Sequence, residues 1–165
     1  MLIPRLKPGV NENDLTKLTA PSNSPRLHLH PSHLAAIITH ARETSPAECC
    51  GLIGGLEEGR TQSTQSIYRL TNVASNTEVA YEAAPEQLFA AQRQMRQRGE
   101  TLLAIYHSHP RASEPTPSET DVRLAYYPSA TYLIVGLAGD EPVVRAFEIS
   151  EEDHSWNRVE YDVAG

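Results

Sequence analysis

The 165-residue chain is 39% hydrophobic and 21% charged, which fits a single globular domain large enough to bury a core. Its 14 Lys and Arg stand against 21 Asp and Glu, for a net charge of −7, and form no basic run or stripe; this speaks against partners such as nucleic acid or an anionic membrane. No apolar stretch approaches the length of a bilayer span, and the N-terminus lacks the apolar centre of a secretory signal, so the expected location is the cytoplasm.

Residues 1–25 contain Pro4, Pro8, Pro21 and Pro25 with Gly9, Asn11, Asn13 and Asn23 and show no apolar period. They read as a flexible N-terminal extension, with the folded domain expected over residues 26–165. Arg26 to His30 alternates like a half-buried strand. Pro31-Ser32 then reads as a helix start, and Leu34, Ile37, Ile38 and Ala41 supply one apolar face. The run Cys49 to Ile53 predicts a central strand closed by Gly54-Gly55. Its two cysteines are the only ones and are adjacent. A vicinal disulfide is strained and rare, and no CxxC or second Cys/His cluster is present. The thiols therefore read as small buried hydrophobes in a reducing compartment.

Gln62 to Val73 predicts another strand. Pro85 at a first turn, Leu88, Ala91 and Met95 on one face, and Gly99 beyond the end define a second helix. Thr101 to Tyr106 is strand-like. Thr131 to Ala138 and Pro142 to Ile149 read as strands around the turn Gly139-Asp140-Glu141, and Trp156 to Val163 as a last edge strand. Helices interrupting groups of strands predict an α+β domain, three-layered in the α/β/α manner.

The segment that carries chemistry is Tyr106-His-Ser-His-Pro-Arg-Ala-Ser-Glu-Pro-Thr-Pro-Ser-Glu-Thr-Asp121. His107 and His109 are two apart at a strand end, so both imidazoles can face the same way. A loop rich in Pro and Ser leads to Ser118, where a short helix running toward Tyr126 can start. Asp121, in its first turn, could complete a three-ligand site that leaves a fourth position to water. Plainer readings stand beside this one. An HxH pair is often only a polar strand end, and Ser118 with Asp121 could be an N-cap and a dipole-favoured acid. The second such pair, His28 and His30, has no carboxylate at helix-start spacing and reads as part of an amphipathic strand. His33, His40 and His154 read as surface or packing residues.

Taken together, His107-Ser-His109-Pro followed by Ser118-x-x-Asp121 resembles the JAMM motif of the MPN+ metalloproteases. The stretch Pro46-Ala-Glu48-Cys-Cys-Gly51-Leu-Ile-Gly54 resembles the segment that bears that family's catalytic glutamate. Asn72-Val-Ala, Tyr81 and the Pro85 helix follow in the order of its small bacterial members, and the resemblance spans residues 27–150. One departure is visible: eight residues separate His109 from Ser118, one more than in the usual motif. The extra residue falls in the Arg111–Pro117 loop, where insertion is structurally cheap.

The resemblance implies an MPN/JAMM domain with a mixed, curved central sheet and one zinc ion per chain, Zn2+ held by His107, His109 and Asp121. It also implies Glu48 beside the metal as the acid–base residue, and Ser118 helping to stabilise the oxyanion. Small bacterial members of this plan process ubiquitin-like or sulfur-carrier proteins after a C-terminal Gly-Gly, which makes such a carrier the expected partner and leaves a homodimer open. The alternative is a catalytically inactive MPN-type interaction scaffold, but such domains lose the metal ligands. A zinc nucleobase deaminase would need HxE and PCxxC, and neither is present.

Overall fold

The structure is a computed structural model that describes residues 24–165. The expected extension over residues 1–25 falls, up to residue 23, outside the described residues. Among the described residues eight strands form one mixed sheet: β1 (Arg26–Leu29), β2 (Cys50–Glu58), β3 (Thr61–Leu70), β4 (Thr101–His109), β5 (Thr131–Gly136), β6 (Val143–Ser150), β7 (Ser155–Val159) and β8 (Asp162–Val163). Their spatial order is β7-β6-β5-β4-β2-β3-β1-β8. The helices of these residues are α1 (Pro31–Thr44), α2 (Pro85–Arg98) and α3 (Glu119–Arg123). No helix among the described residues is long and apolar enough to cross a membrane.

Alternation along the strands gives the sheet two apolar faces. Leu29, Ile53, Leu103, Leu133 and Val135 join Ile37 and Ala41 of α1 in one core. Leu52, Leu70, Ile105, Ile134 and Phe147 join Ala91 and Met95 of α2 and Val122 of α3 in the other. Fully burying each large aliphatic side chain contributes about 1.5–3 kcal/mol, so both helix layers are held by the sheet they cover. Gly99 ends α2 with φ +67°, the left-handed conformation that favours glycine there.

Cys49 and Cys50 enter β2 with side chains in opposite cores, each 1% exposed and unpaired. Burial pushes their thiols up to about 11 and about 12, as expected of inert packing groups. Two of the histidines outside the motif are also structural. His30 caps α1 by accepting from Ser32 N–H, and His40 is buried with Nδ1 2.7 Å from the Tyr106 hydroxyl.

Two expectations about the strands are corrected. Gly54-Gly55 does not close β2, which runs on to Glu58 with a register shift at this pair. A side chain at Gly55 would collide with the Ser63 backbone, so the glycines mark close strand approach rather than a strand end. The expected last strand is two, β7 pairing with β6 and β8 with β1. Only Glu160 and Tyr161 separate them although they occupy opposite edges, so the sheet must curl until its edges approach. The Tyr161 hydroxyl donates to the Val144 carbonyl at 3.0 Å across this closure.

A Cβ at Gly51 would run into the ring of Tyr106, which is 0% exposed. Gly51→Ala is therefore expected to lower unfolding free energy by about 1–3 kcal/mol or more, as overpacking does. A wild-type denaturation midpoint in that variant would show that the Tyr106 ring can yield.

Candidate active site

β4 lies inside the sheet, with His107 paired opposite Cys50 of β2 and Ile134 of β5. Strand alternation sends His107 and His109 to one face and Ser108 to the other. Ser108 is 0% exposed, and its hydroxyl accepts the Cys49 N–H at 2.8 Å while its own N–H donates to Cys49 O at 3.2 Å. The middle residue of the motif thus ties the strand that bears both histidines to the residue after Glu48.

The loop after His109 is anchored as well as rigid. Pro115 is buried against Gly136, Ala112 O accepts from Ala138 N–H at 3.1 Å, and Arg145 reaches both carboxylate oxygens of Glu114. It delivers Ser118 to the start of α3, which ends at Arg123 instead of reaching Tyr126. A capping box forms there: Asp121 N–H donates to Ser118 Oγ at 3.0 Å, and Ser118 N–H donates to Asp121 Oδ2 at 2.8 Å. The same Oδ2 lies 3.1 Å from Nε2 of His107 and 3.1 Å from Nε2 of His109, which are 3.0 Å from each other. The N-cap reading and the ligand reading therefore describe one arrangement, because the cap aims the carboxylate.

These three atoms fit a metal ion. Tetrahedral ligands about 2.0–2.1 Å from zinc lie roughly 3.3–3.4 Å apart, a small outward adjustment from the separations here. Two further buried atoms, Glu48 Oε2 and His107 Nδ1, have no hydrogen-bond partner among the described residues. Among those residues, His107, His109 and Asp121 form the cluster able to hold a metal.

Glu48 precedes β2, is 4% exposed, and has Oε1 3.9 Å from His109 Nε2. Burial raises its carboxyl to about 7, with the His109 charge opposing and the Asp121 charge adding. Burial would raise Asp121 too, but the His107 charge, hydrogen bonds from both imidazoles and the Ser118 N–H hold it well below the usual carboxylate range. For His109, burial opposes protonation, yet the hydrogen bond and charge of Asp121 and the charge of Glu48 raise its pKa overall.

All five site residues read from the sequence thus share one neighbourhood. The motif pattern did not reveal what surrounds them. Tyr81 stacks on His107 with ring centroids 4.5 Å apart and planes 28° apart. Ser108 was legible only as the residue that alternation turns the other way. A cleft of about 530 Å3, bordered by Asp121, Tyr81, Leu88, Leu124 and Tyr126, opens beside the site.

Two imidazoles at the end of a central strand and a carboxylate from the following helix, with a buried carboxylic acid alongside, form a cluster that could hold a metal ion through three side chains. The sequence model of a family described as prokaryotic homologs of the JAB domain matches residues 30–150, and the chain belongs to that family. It is 37% identical over 115 residues to a desampylase of Haloferax volcanii, covering 67% of this chain and 81% of that one. It is also 37% identical over 100 residues to a CysO-cysteine peptidase of Mycobacterium tuberculosis, covering 61% of this chain and 66% of the relative. A solution structure of a Desulfitobacterium hafniense protein superposes with a TM-score of 0.74 at 32% identity, covering 84% of this chain and 92% of that one.

Because Ser118 Oγ is the acceptor that starts α3, Ser118→Ala is expected to cost about 0.5–2 kcal/mol of stability. Chemical denaturation measures this directly, and an unchanged midpoint would mean that α3 does not depend on its cap.

Proposed function

We propose that the protein is a zinc-dependent peptidase or isopeptidase that hydrolyses the bond after a C-terminal Gly-Gly of a ubiquitin-like or sulfur-carrier protein. The hydrolase class follows from family membership and from relatives that are a desampylase and a CysO-cysteine peptidase. The observation that carries the reading is the convergence of His107 Nε2, His109 Nε2 and Asp121 Oδ2 at 3.0–3.1 Å, with the buried Glu48 carboxyl beside them.

In this reading His107, His109 and Asp121 would hold zinc, which would supply a Lewis acid for the scissile carbonyl and an activated water. Glu48 takes the proton of the attacking water and hands it to the leaving amine as the carbon–nitrogen bond breaks. Its Oε2, which has no hydrogen-bond partner among the described residues, is the oxygen open to do so. The Ser118 hydroxyl accepts one hydrogen bond and can donate its own proton to the oxyanion. An inactive scaffold finds no support in a site where every ligand side chain is present and converges.

The substrate is an extended tail. The apolar cleft reaches Asp121, so a tail lying in it ends at the zinc ligands, and glycines at the bond let the backbone approach closely. The unpaired buried cysteines suit a reducing location such as the cytoplasm.

Purified protein is expected to hold about one zinc per chain, with His107→Ala, His109→Ala and Asp121→Ala each lowering occupancy. Glu48→Gln should keep its metal while losing about 10²–10⁴-fold in turnover. Zinc content unchanged in all three ligand variants, or near wild-type turnover in Glu48→Gln, overturns the assignments concerned. A ubiquitin-like carrier extended past its Gly-Gly should be cut after the second glycine, and a bulky residue in place of that glycine should abolish cleavage. Mass spectrometry showing equal cleavage of both substrates would rule out a constricted channel.

A further inference from the structure

The geometry points to Asn72 as the residue that positions Glu48 for proton transfer, an inference that rests on the role proposed for Glu48 above. Glu48 lies outside the β2 ladder, and its backbone is gripped by the segment after β3 instead of by the sheet. Its N–H donates to Thr77 O at 2.7 Å, and its carbonyl accepts from Asn72 Nδ2 at 2.9 Å. Asn72 Nδ2 also donates to Ala80 O at 2.9 Å, while Oδ1 accepts from Ala74 N–H at 3.0 Å and Glu82 N–H at 3.1 Å. Two donors and two acceptor sites are thus all engaged, the full complement of a primary amide. The orientation is unambiguous, because a flipped amide would set NH2 against two N–H groups and oxygen against two carbonyls.

This side chain sits in the neck of a closed loop. Val73 N–H donates to Glu82 O at 2.8 Å and Ala84 N–H to Thr71 O at 3.0 Å, so residues 71–73 and 82–84 run side by side. Inside the loop, Tyr81 stacks on His107. One amide therefore fixes the loop that covers a metal-site imidazole and, through the Glu48 carbonyl, the backbone that carries the proton-transfer group. Asn72 touches neither the ligands nor the reacting atoms, so it is a positioning residue. A displacement near 1 Å at such a group costs on the order of 10²-fold in rate.

The two halves of the amide are separable. Asn72→Asp keeps acceptors for the Ala74 and Glu82 N–H groups but faces the Glu48 and Ala80 carbonyls with an oxygen. On a ubiquitin-like carrier domain extended by one residue past Gly-Gly, kcat of this variant should fall roughly 10²-fold. KM should stay within about two-fold and zinc content should equal that of the wild type. Gln87→Ala is the structural control: it removes the bonds from Gln87 to Thr71 N–H and Oγ1, which anchor the same loop to α2 without reaching Glu48. Its kcat should be unchanged even where its Tm falls. Should the aspartate variant not fold, Asn72→Ser removes the Nδ2 donors without adding charge, and the same readouts apply. Wild-type kcat in the Asn72 variant beside an inactive Glu48→Gln overturns the inference alone. An equal kcat loss in Gln87→Ala overturns it too, as general loop damage. An active Glu48→Gln, or a wild-type protein that leaves the probe uncut, removes the reading of Glu48 and the inference with it.

Discussion

The site depends on β4 being an interior strand with a two-residue period. Hydrogen bonds to β2 on one side and β5 on the other fix its backbone, so His107 and His109 emerge on one face without loop flexibility to absorb. Ser108, forced to the opposite face by the same period, bonds both backbone groups of Cys49. Sites carried on regular elements hold their geometry more tightly than sites on loops. Here two of the three candidate ligands have that support, and the third, Asp121, gains it from the capping box.

Around this rigid centre the loops do complementary work. The Pro-rich segment is pinned by buried Pro115 and by the Arg145 contact to Glu114, so the longer spacing to Ser118 is taken up before the cap and not at the ligand. The segment after β3 lies over the other side, with Asn72 at its neck and Tyr81 against His107. The cap satisfies backbone groups of α3 and orients a carboxylate with one set of hydrogen bonds, which explains how so short a helix can carry a site residue.

Electrostatics then separates two carboxyl groups of the same site. Both are buried, and burial alone raises both. Asp121 has two imidazoles and a backbone N–H against it and stays ionised, whereas the buried Glu48 rises to about 7. The two carboxyls of one neighbourhood thus sit in opposite electrostatic environments.

Much of this protein is determined by the sequence alone. Helix faces, caps and strand alternation arise from steric and hydrogen-bonding rules acting over a few residues, so the faces of α1 and α2, the shared orientation of His107 and His109, and the Ser118–Asp121 cap could be read directly. Resemblance added Glu48, whose local pattern says nothing of a metal site. The tertiary structure decided what depends on segments distant in the chain. It kept Gly54-Gly55 inside β2 because β3 approaches closely there, and it split the last strand between two edges because the sheet curls. It also brought Asn72 and Tyr81 to Glu48 and His107. Side-chain period is a property of neighbours along the chain, whereas register, curl and loop closure depend on contacts between distant segments, and no local pattern encodes which segments will meet.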